Sequence, residues 1–252
     1  MLFVIAFIVS FIPYAALFLW LRGRSRDNPA YGKLCSMALG YGALSLFPVT
    51  LFSGVSYIIV RLTGLHNSNP LLYQAVYTII VLALMEELAK YMLFRHVIKK
   101  TPYPCSWLDM TVLMTIVGIG FGAIEAVIYS IGASIPVVLV RGICVPHAGF
   151  GFLVGYFCGK SAKCGKPVYK WVGFLIAWLL HGIYDFSLSE EFLAINDNLA
   201  IVAILLALLD VVLVIRLIVF VKKAKKSEIY IEALDEKAVE SEGQYSALGT
   251  ER

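Results

Sequence analysis

TIIVLALMEELAKYMLF, residues 78–94, decides how the rest of the chain is read. An apolar run from Thr78 to Met85 leads into Glu86 and Glu87, Lys90 follows, and Tyr91–Phe94 return to apolar character. Carboxylates placed in hydrocarbon are costly, so an ionisable group at such a position is by default a functional site. Further along, Glu125, His147 and the pair His181/Asp185 also stand inside apolar segments. A purely structural helix has no need of this set, whereas a buried reaction centre does.

Composition fixes the setting. The 252 residues are 60% hydrophobic and 15% charged, with a mean hydropathy of +0.83. A soluble domain carries roughly a quarter charged residues, so an integral membrane protein is expected. Runs approaching the roughly 20 residues that span a bilayer as helix recur, and the alternating strands of a barrel do not. The expected fold class is therefore all-α, a polytopic membrane helix bundle of about seven transmembrane helices. They are placed at 1–21, 34–60, 71–94, 107–130, 136–158, 171–188 and 199–221. Arg22, Arg24 and Arg26 follow the first run instead of preceding it, which favours a retained helix over a signal peptide. Pro136 and Pro146 mark the fifth segment for a kink or a partly re-entrant path.

Loop charge orients the bundle. Arg22, Arg24, Arg26 and Lys33 lie after the first helix, and Arg95, Lys99 and Lys100 after the third. Lys160, Lys163, Lys166 and Lys170 follow the fifth, and Lys222, Lys223, Lys225 and Lys226 the seventh. The intervening loops carry Arg61, no Lys or Arg at all, and only acids. The positive-inside rule then puts the N-terminus outside and the C-terminus in the cytoplasm. Residues 1–221 form one transmembrane domain, with the motif-bearing core at about 71–188. Residues 222–252 form a basic-then-acidic tail expected to be disordered, with room for a short helix near 228–240. Nothing calls for nucleic acid. Cys35, Cys105, Cys144, Cys158 and Cys164 make no CxxC pair and are read as reduced and structural.

Helical rise brings the ionisable groups to one depth. Glu86 lies roughly 20 Å from Lys99, His147 about 20 Å from Lys160 and His181 about 16 Å from Lys170. Glu125, about 24 Å from Asp109, sits somewhat further out. Glu86 and Lys90 are i,i+4 and Glu87 and Lys90 are i,i+3, so Lys90 can neutralise either acid. Asp185, i+4 from His181, can orient the imidazole. A desolvated glutamate suits water activation, and either a metal or hydrogen-bonding side chains can stabilise the resulting oxyanion. His147, His181 and Glu125 would make a His₂Glu set of the type found at catalytic zinc, so Zn²⁺ is the candidate ion. The same residue types also build proton paths in transporters, or stand in a non-catalytic scaffold. Arg141 and Asp210 take no assigned part.

Together these residues resemble the PrsW family of intramembrane proteases, within the superfamily of type II CAAX prenyl endopeptidases. The matching elements are Glu86-Glu87-x-x-Lys90, Phe121-x-x-x-Glu125, His147 in RGICVPHAGFGFLVGYFCG (141–159), and His181-x-x-x-Asp185. Each is in its own apolar segment, in the family's order, and an acid at Glu125 favours the PrsW branch over CAAX processing. The resemblance implies a hydrolase of the bacterial cytoplasmic membrane that makes the first cut in a membrane-anchored regulator, the characteristic case being an anti-sigma factor. It implies Glu86 as general base, with Glu87 assisting or paired to Lys90. It assigns His181 to a metal or to the oxyanion.

Overall fold

The computed structural model describes residues 2–23, 29–101, 105–132, 138 and 142–249, with side chains over 8–23, 31–101, 105–131, 138, 142–196 and 198–224. The readings made of Arg24, Arg26, Pro136 and Arg141, and of the Lys225, Lys226 and tail side chains, fall outside the described set. Among the described residues every regular element is helical. Helices α1 (Leu2–Arg22), α2 (Pro29–Leu44), α3 (Leu46–Leu62) and the short α4 (Leu65–Ser68) and α5 (Pro70–Ala75) come first. A π-helical segment, Val76–Leu82, runs into α6 (Ala83–Lys99). Then come α7 (Trp107–Gly132), α8 (Pro146–Cys164), α9 (Val168–Ser187), the short α10 (Glu190–Leu193) and α11 (Ala200–Gly249).

Among the described residues five stretches are long and apolar enough to cross a membrane: Tyr31–Leu62, Pro70–Lys99, Trp107–Ile131, Gly142–Cys164 and Ala200–Ala224. Two of the seven expected segments are not among them. Helix α1 is 21 residues long, and Ile8–Arg22 is the shorter stretch of it with described side chains. Helix α9 is 20 residues long but is interrupted by Lys170, His181 and Asp185.

Local chemistry sets the breaks. The expected single helix over 34–60 divides at Ser45, three residues before Pro48 interrupts the ladder. The Pro48 ring has no N–H to donate and clashes with the carbonyl at i−4, which is Leu44. Ser45 Oγ donates to the Gly42 carbonyl at 2.6 Å and covers the joint. The fifth expected segment begins its long helix at Pro146, the N1 position that proline favours. Val145 just before it has φ 46°, a left-handed conformation that a β-branched residue takes only under strain. At the start of α7, Ser106 and Asp109 cap each other: Ser106 N–H donates to Asp109 Oδ2 (3.0 Å) and Asp109 N–H to Ser106 Oγ (3.1 Å).

Helices α7 and α8 are central. Of their membrane windows 78% and 67% is buried, against 17% for Tyr31–Leu62 and 22% for Ala200–Ala224. The outer helices turn large apolar side chains such as Phe47, Leu62, Ile201 and Leu205 outward, as lipid-facing surfaces do. The α7–α8 seam is built on glycine. A Cβ at Gly151 or Gly155 would stand 2.8 Å from the Met114 carbonyl oxygen or 2.7 Å from that of Met110. One at Gly118 would collide with the carbonyl of His147. Small residues let membrane helices approach at backbone distance, and here they seat the first turn of α8 against α7.

The chain divides into two compact units, Met1–Val214 and Ile215–Arg252. Every ionisable group of the site below belongs to the first. In the second the backbone is helical to Gly249.

Candidate active site

Helix α6 contributes two acids with different surroundings. Glu87, fully buried, accepts from Lys90 Nζ at 2.6 Å and from His181 Nδ1 at 2.9 Å, both on Oε1. Glu86, a residue earlier and about 100° around the helix, stands 4.0 Å from Lys90 Nζ, and its Oε2 has no hydrogen-bond partner. The π-helical segment just before it is held by Trp178 of α9, whose Nε1 donates to the Ile79 carbonyl at 2.7 Å. Gly182 on α9 lets the two backbones meet there: a Cβ would lie 2.8 Å from Ile79 Cα. Such π segments recur at functional sites, where they rotate the register of the following turn.

Helix α8 supplies His147, one residue beyond Pro146. Its Nε2 is in short contact with Glu125 Oε2 of α7, and its Nδ1 lies 3.0 Å from Lys90 Nζ. An ammonium has no acceptor capacity, so Nδ1 accepts from Lys90 and Nε2–H donates to Glu125. Lys90 is also 4.4 Å from the centre of the Phe121 ring, a cation–π distance. This one lysine therefore touches α6, α7 and α8 at the same depth.

Helix α9 brings His181 and Asp185. His181 lies against Phe150, stacked at 4.9 Å, and edge-on to His147 at 4.9 Å. With Nδ1–H donating to Glu87, the neutral ring carries its lone pair on Nε2. That atom has no hydrogen-bond partner, yet it lies 3.4 Å from Glu86 Oε2 and 3.2 Å from Asp185 Oδ2. Buried acceptors facing one another without a donor are unstable until a cation, proton or metal ion, enters between them. One donor atom each from Glu86, His147 and His181 lie within 4.8 Å of one another.

This donor set fits a divalent ion. Two of its atoms, Glu86 Oε2 and His181 Nε2, are buried and unpartnered, and His₂Glu is a ligand combination that zinc accepts. An ion held by all three would have to take His147 Nδ1 from Lys90 or Nε2 from Glu125. The sequence reading instead grouped Glu125 with the two histidines. In the structure Glu125 engages His147, and Glu86 is the acid in the close trio.

All six residues singled out from sequence, Glu86, Glu87, Glu125, His147, His181 and Asp185, meet in this cluster. The expected i,i+4 approach of Asp185 to His181 is present, but Glu87 on another helix takes the other ring nitrogen. Two features were not legible beforehand. Lys90 contacts His147 across 57 positions of sequence, which no helical spacing could reveal. Asp210 of α11, left without a role, is 2% exposed and lies within Coulombic reach of His181 and Asp185. Its carboxylate stands next to Gly149 of α8, and its Oδ2 has no hydrogen-bond partner. The only signal for it was an acid in an aliphatic run.

Comparison with known proteins agrees with the motifs. The model of the PrsW family intramembrane metalloproteases matches residues 30–217. The chain is 30% identical over 152 residues to Protease PrsW of Oceanobacillus iheyensis, covering 59% of this chain and 66% of that protein. It is 26% identical over 160 residues to Protease PrsW of Geobacillus kaustophilus, covering 60% and 65%. With Protease PrsW of Clostridioides difficile the identity is 24% over 196 residues, covering 74% and 80%. The chain thus spans just under two thirds of the length of the first two relatives, at 66% and 65%. No solved structure matches it significantly. Since the family model takes in every ionisable residue of the buried cluster, from Glu86 to Asp210, the chain belongs to the PrsW family of intramembrane metalloproteases.

Proposed function

We propose that this chain is an intramembrane endopeptidase that hydrolyses a peptide bond of a membrane-anchored protein, with Glu86 accepting the proton of the attacking water. The observation that carries this reading is the contrast between neighbours. Glu87 is consumed by Lys90 and His181 on its Oε1, whereas Glu86 keeps an unpartnered oxygen 3.4 Å from His181 Nε2. Glu87 and Lys90 form a clamp that fixes the His181 tautomer, and Glu125 does the same for His147. Glu86, His147 and His181 would hold a divalent ion, with Zn²⁺ the candidate. When bound, the ion supplies a Lewis acid to the scissile carbonyl and the water. The proton leaving water passes to a carboxylate, and Glu86 is the acid placed to take it, on whichever oxygen a bound cation leaves free.

The natural substrate is assigned by family resemblance: a membrane-anchored regulator such as an anti-sigma factor, cut first within or at the outer edge of the bilayer. The same resemblance extends to the type II CAAX endopeptidases. Loop charges support seven crossings with the N-terminus outside, in the bacterial cytoplasmic membrane.

The test is cleavage of a co-expressed anchored reporter. Glu86→Gln is expected to stop cleavage while the protein remains inserted; full activity would remove Glu86 from this role. Metal analysis of purified protein separates the acids. Glu86→Gln should lose bound zinc and Glu125→Gln retain it, and the reverse result would restore the set built on Glu125. A proton flux in liposomes without proteolysis would transfer the site to a transporter.

A further inference from the structure

The basic end of the bundle holds a second site, separate from the buried cluster. Helices α6, α7, α8 and α9 line an open cleft of about 310 Å³ there. Tyr91, Phe94 and Met110 form apolar wall, and Arg95, Lys99 and Lys170 bring three cations from two helices. No carboxylate lines it, and neither Arg95 nor Lys99 has an acidic partner among the described residues. Convergent like charges repel one another, and an anionic guest relieves that repulsion. The floor is aromatic: Tyr91 is 9% exposed and packs edge-on to Phe174 at 5.9 Å. Trp171, half exposed, stands beside it with Lys170 Nζ 5.5 Å from the ring, the placement of an interfacial anchor. Along α6 the cleft runs from Lys99 inward to Tyr91, about 12 Å.

A cationic rim above an apolar floor matches an amphiphile with an anionic head. We infer that this cleft binds an anionic phospholipid, its phosphodiester on Arg95 and Lys170 with Lys99 at the rim, and the upper acyl chain over Tyr91 and Phe94. Basic pockets between transmembrane helices hold lipid headgroups in this manner, and the arginine fork suits phosphate oxygens. The size falls in the range of small-ligand sites, roughly 300–1,000 Å³. The proposal does not depend on the catalytic reading, because none of these side chains belongs to the cluster around Glu86.

The experiment uses the full chain in nanodiscs of phosphatidylglycerol or phosphatidylcholine, with native mass spectrometry counting the lipid retained. Wild type should keep phosphatidylglycerol in preference to phosphatidylcholine. Arg95→Gln/Lys170→Gln should weaken that retention by more than about tenfold. Lys163→Gln/Lys166→Gln removes equal charge from the end of α8 and the turn after it, outside the cleft lining, and should leave retention intact. Equal retention of both lipids, or equal loss in the two double variants, would overturn the site. Displacement by soluble glycerol phosphate at millimolar concentration would overturn the lipid in favour of a free phosphate ester. If the double variant unfolds on heating earlier than wild type, the exposed Lys99→Gln decides: about a fivefold loss supports the cleft, and no loss overturns it.

Discussion

The two seams that meet at the candidate active site differ in what dominates each contact. Between α7 and α8 the contact is backbone on backbone, made by Gly118, Gly151 and Gly155, which carry no chemistry. Between α6 and α9 a buried polar contact crosses, His181 Nδ1 to Glu87 Oε1 at 2.9 Å, with Lys90 holding the same oxygen at 2.6 Å from within α6. The first seam fixes where His147 stands. The second fixes which nitrogen His181 presents and which carboxylate is left bare. A membrane bundle cannot position helices by the hydrophobic effect alone, because lipid is as apolar as leucine. Close steric fit and buried charge are the remaining tools; glycine dominates the α7–α8 seam, which Glu125–His147 also ties, and charge stands out between α6 and α9.

Substitutions can break or sharpen that contrast. The largest effect is expected from Glu86→Gln, which removes the unpartnered carboxylate. Reporter cleavage should fall by about 10²–10⁴, while the unfolding temperature holds or rises. A fall in stability would place Glu86 in the clamp with Glu87. Lys90→Met should act on stability first, because it strands Glu87 as an unpaired buried charge. The expected cost is about 3–5 kcal/mol, read by chemical unfolding in detergent. A cost below about 1 kcal/mol would mean that the α6–α9 seam does not rest on charge. On the glycine side, Gly155→Ala forces a methyl against the Met110 carbonyl and should cost about 1–3 kcal/mol. Gly40→Ala is its control, since nothing lies within 4 Å of that position, and it should stay within about 0.5 kcal/mol or stabilise slightly. If both alanines behave alike, close backbone approach is not what seats α8. The smallest effect is expected of Asp210→Asn, which keeps the shape of a buried side chain whose Oδ2 has no hydrogen-bond partner. Cleavage should be unchanged and thermal stability no lower; a clear loss of cleavage would bring Asp210 into the charged half of the site.

Much of this was legible before any coordinates. An acid pair in a 17-residue apolar stretch could only be a helix with something to hold, and the histidines at matching depth nominated the partners. Helical spacing gave the Lys90–Glu87 and His181–Asp185 approaches because i,i+3 and i,i+4 neighbours share a face in any α-helix. It could not give the break at Ser45, since a membrane helix can also absorb a proline as a kink. Nor could it show that 107–131 and 142–164 are central while 200–224 is peripheral, because all three read as apolar runs and burial depends on neighbours. The cleft at Arg95 and Lys170 was hidden for the same reason: positive-inside counting registers those charges one loop at a time.

The sequence by itself determined that the chain is helical, apolar enough for several membrane crossings, and equipped with four motifs in the order of one family. Those properties are local, fixed by residue type and by the rise and turn of a helix. Only the tertiary structure decided what each acid does. Glu86 and Glu87 are chemically identical neighbours, and both are buried. They differ because α9 offers Glu87 a hydrogen bond at 2.9 Å while setting His181 Nε2 3.4 Å from Glu86 without one, and because glycines on α7 and α8 admit His147 to within reach of Lys90. A hydrogen-bond donor arriving from 94 residues away is a property of packing, and packing is what leaves one oxygen of Glu86 without a partner.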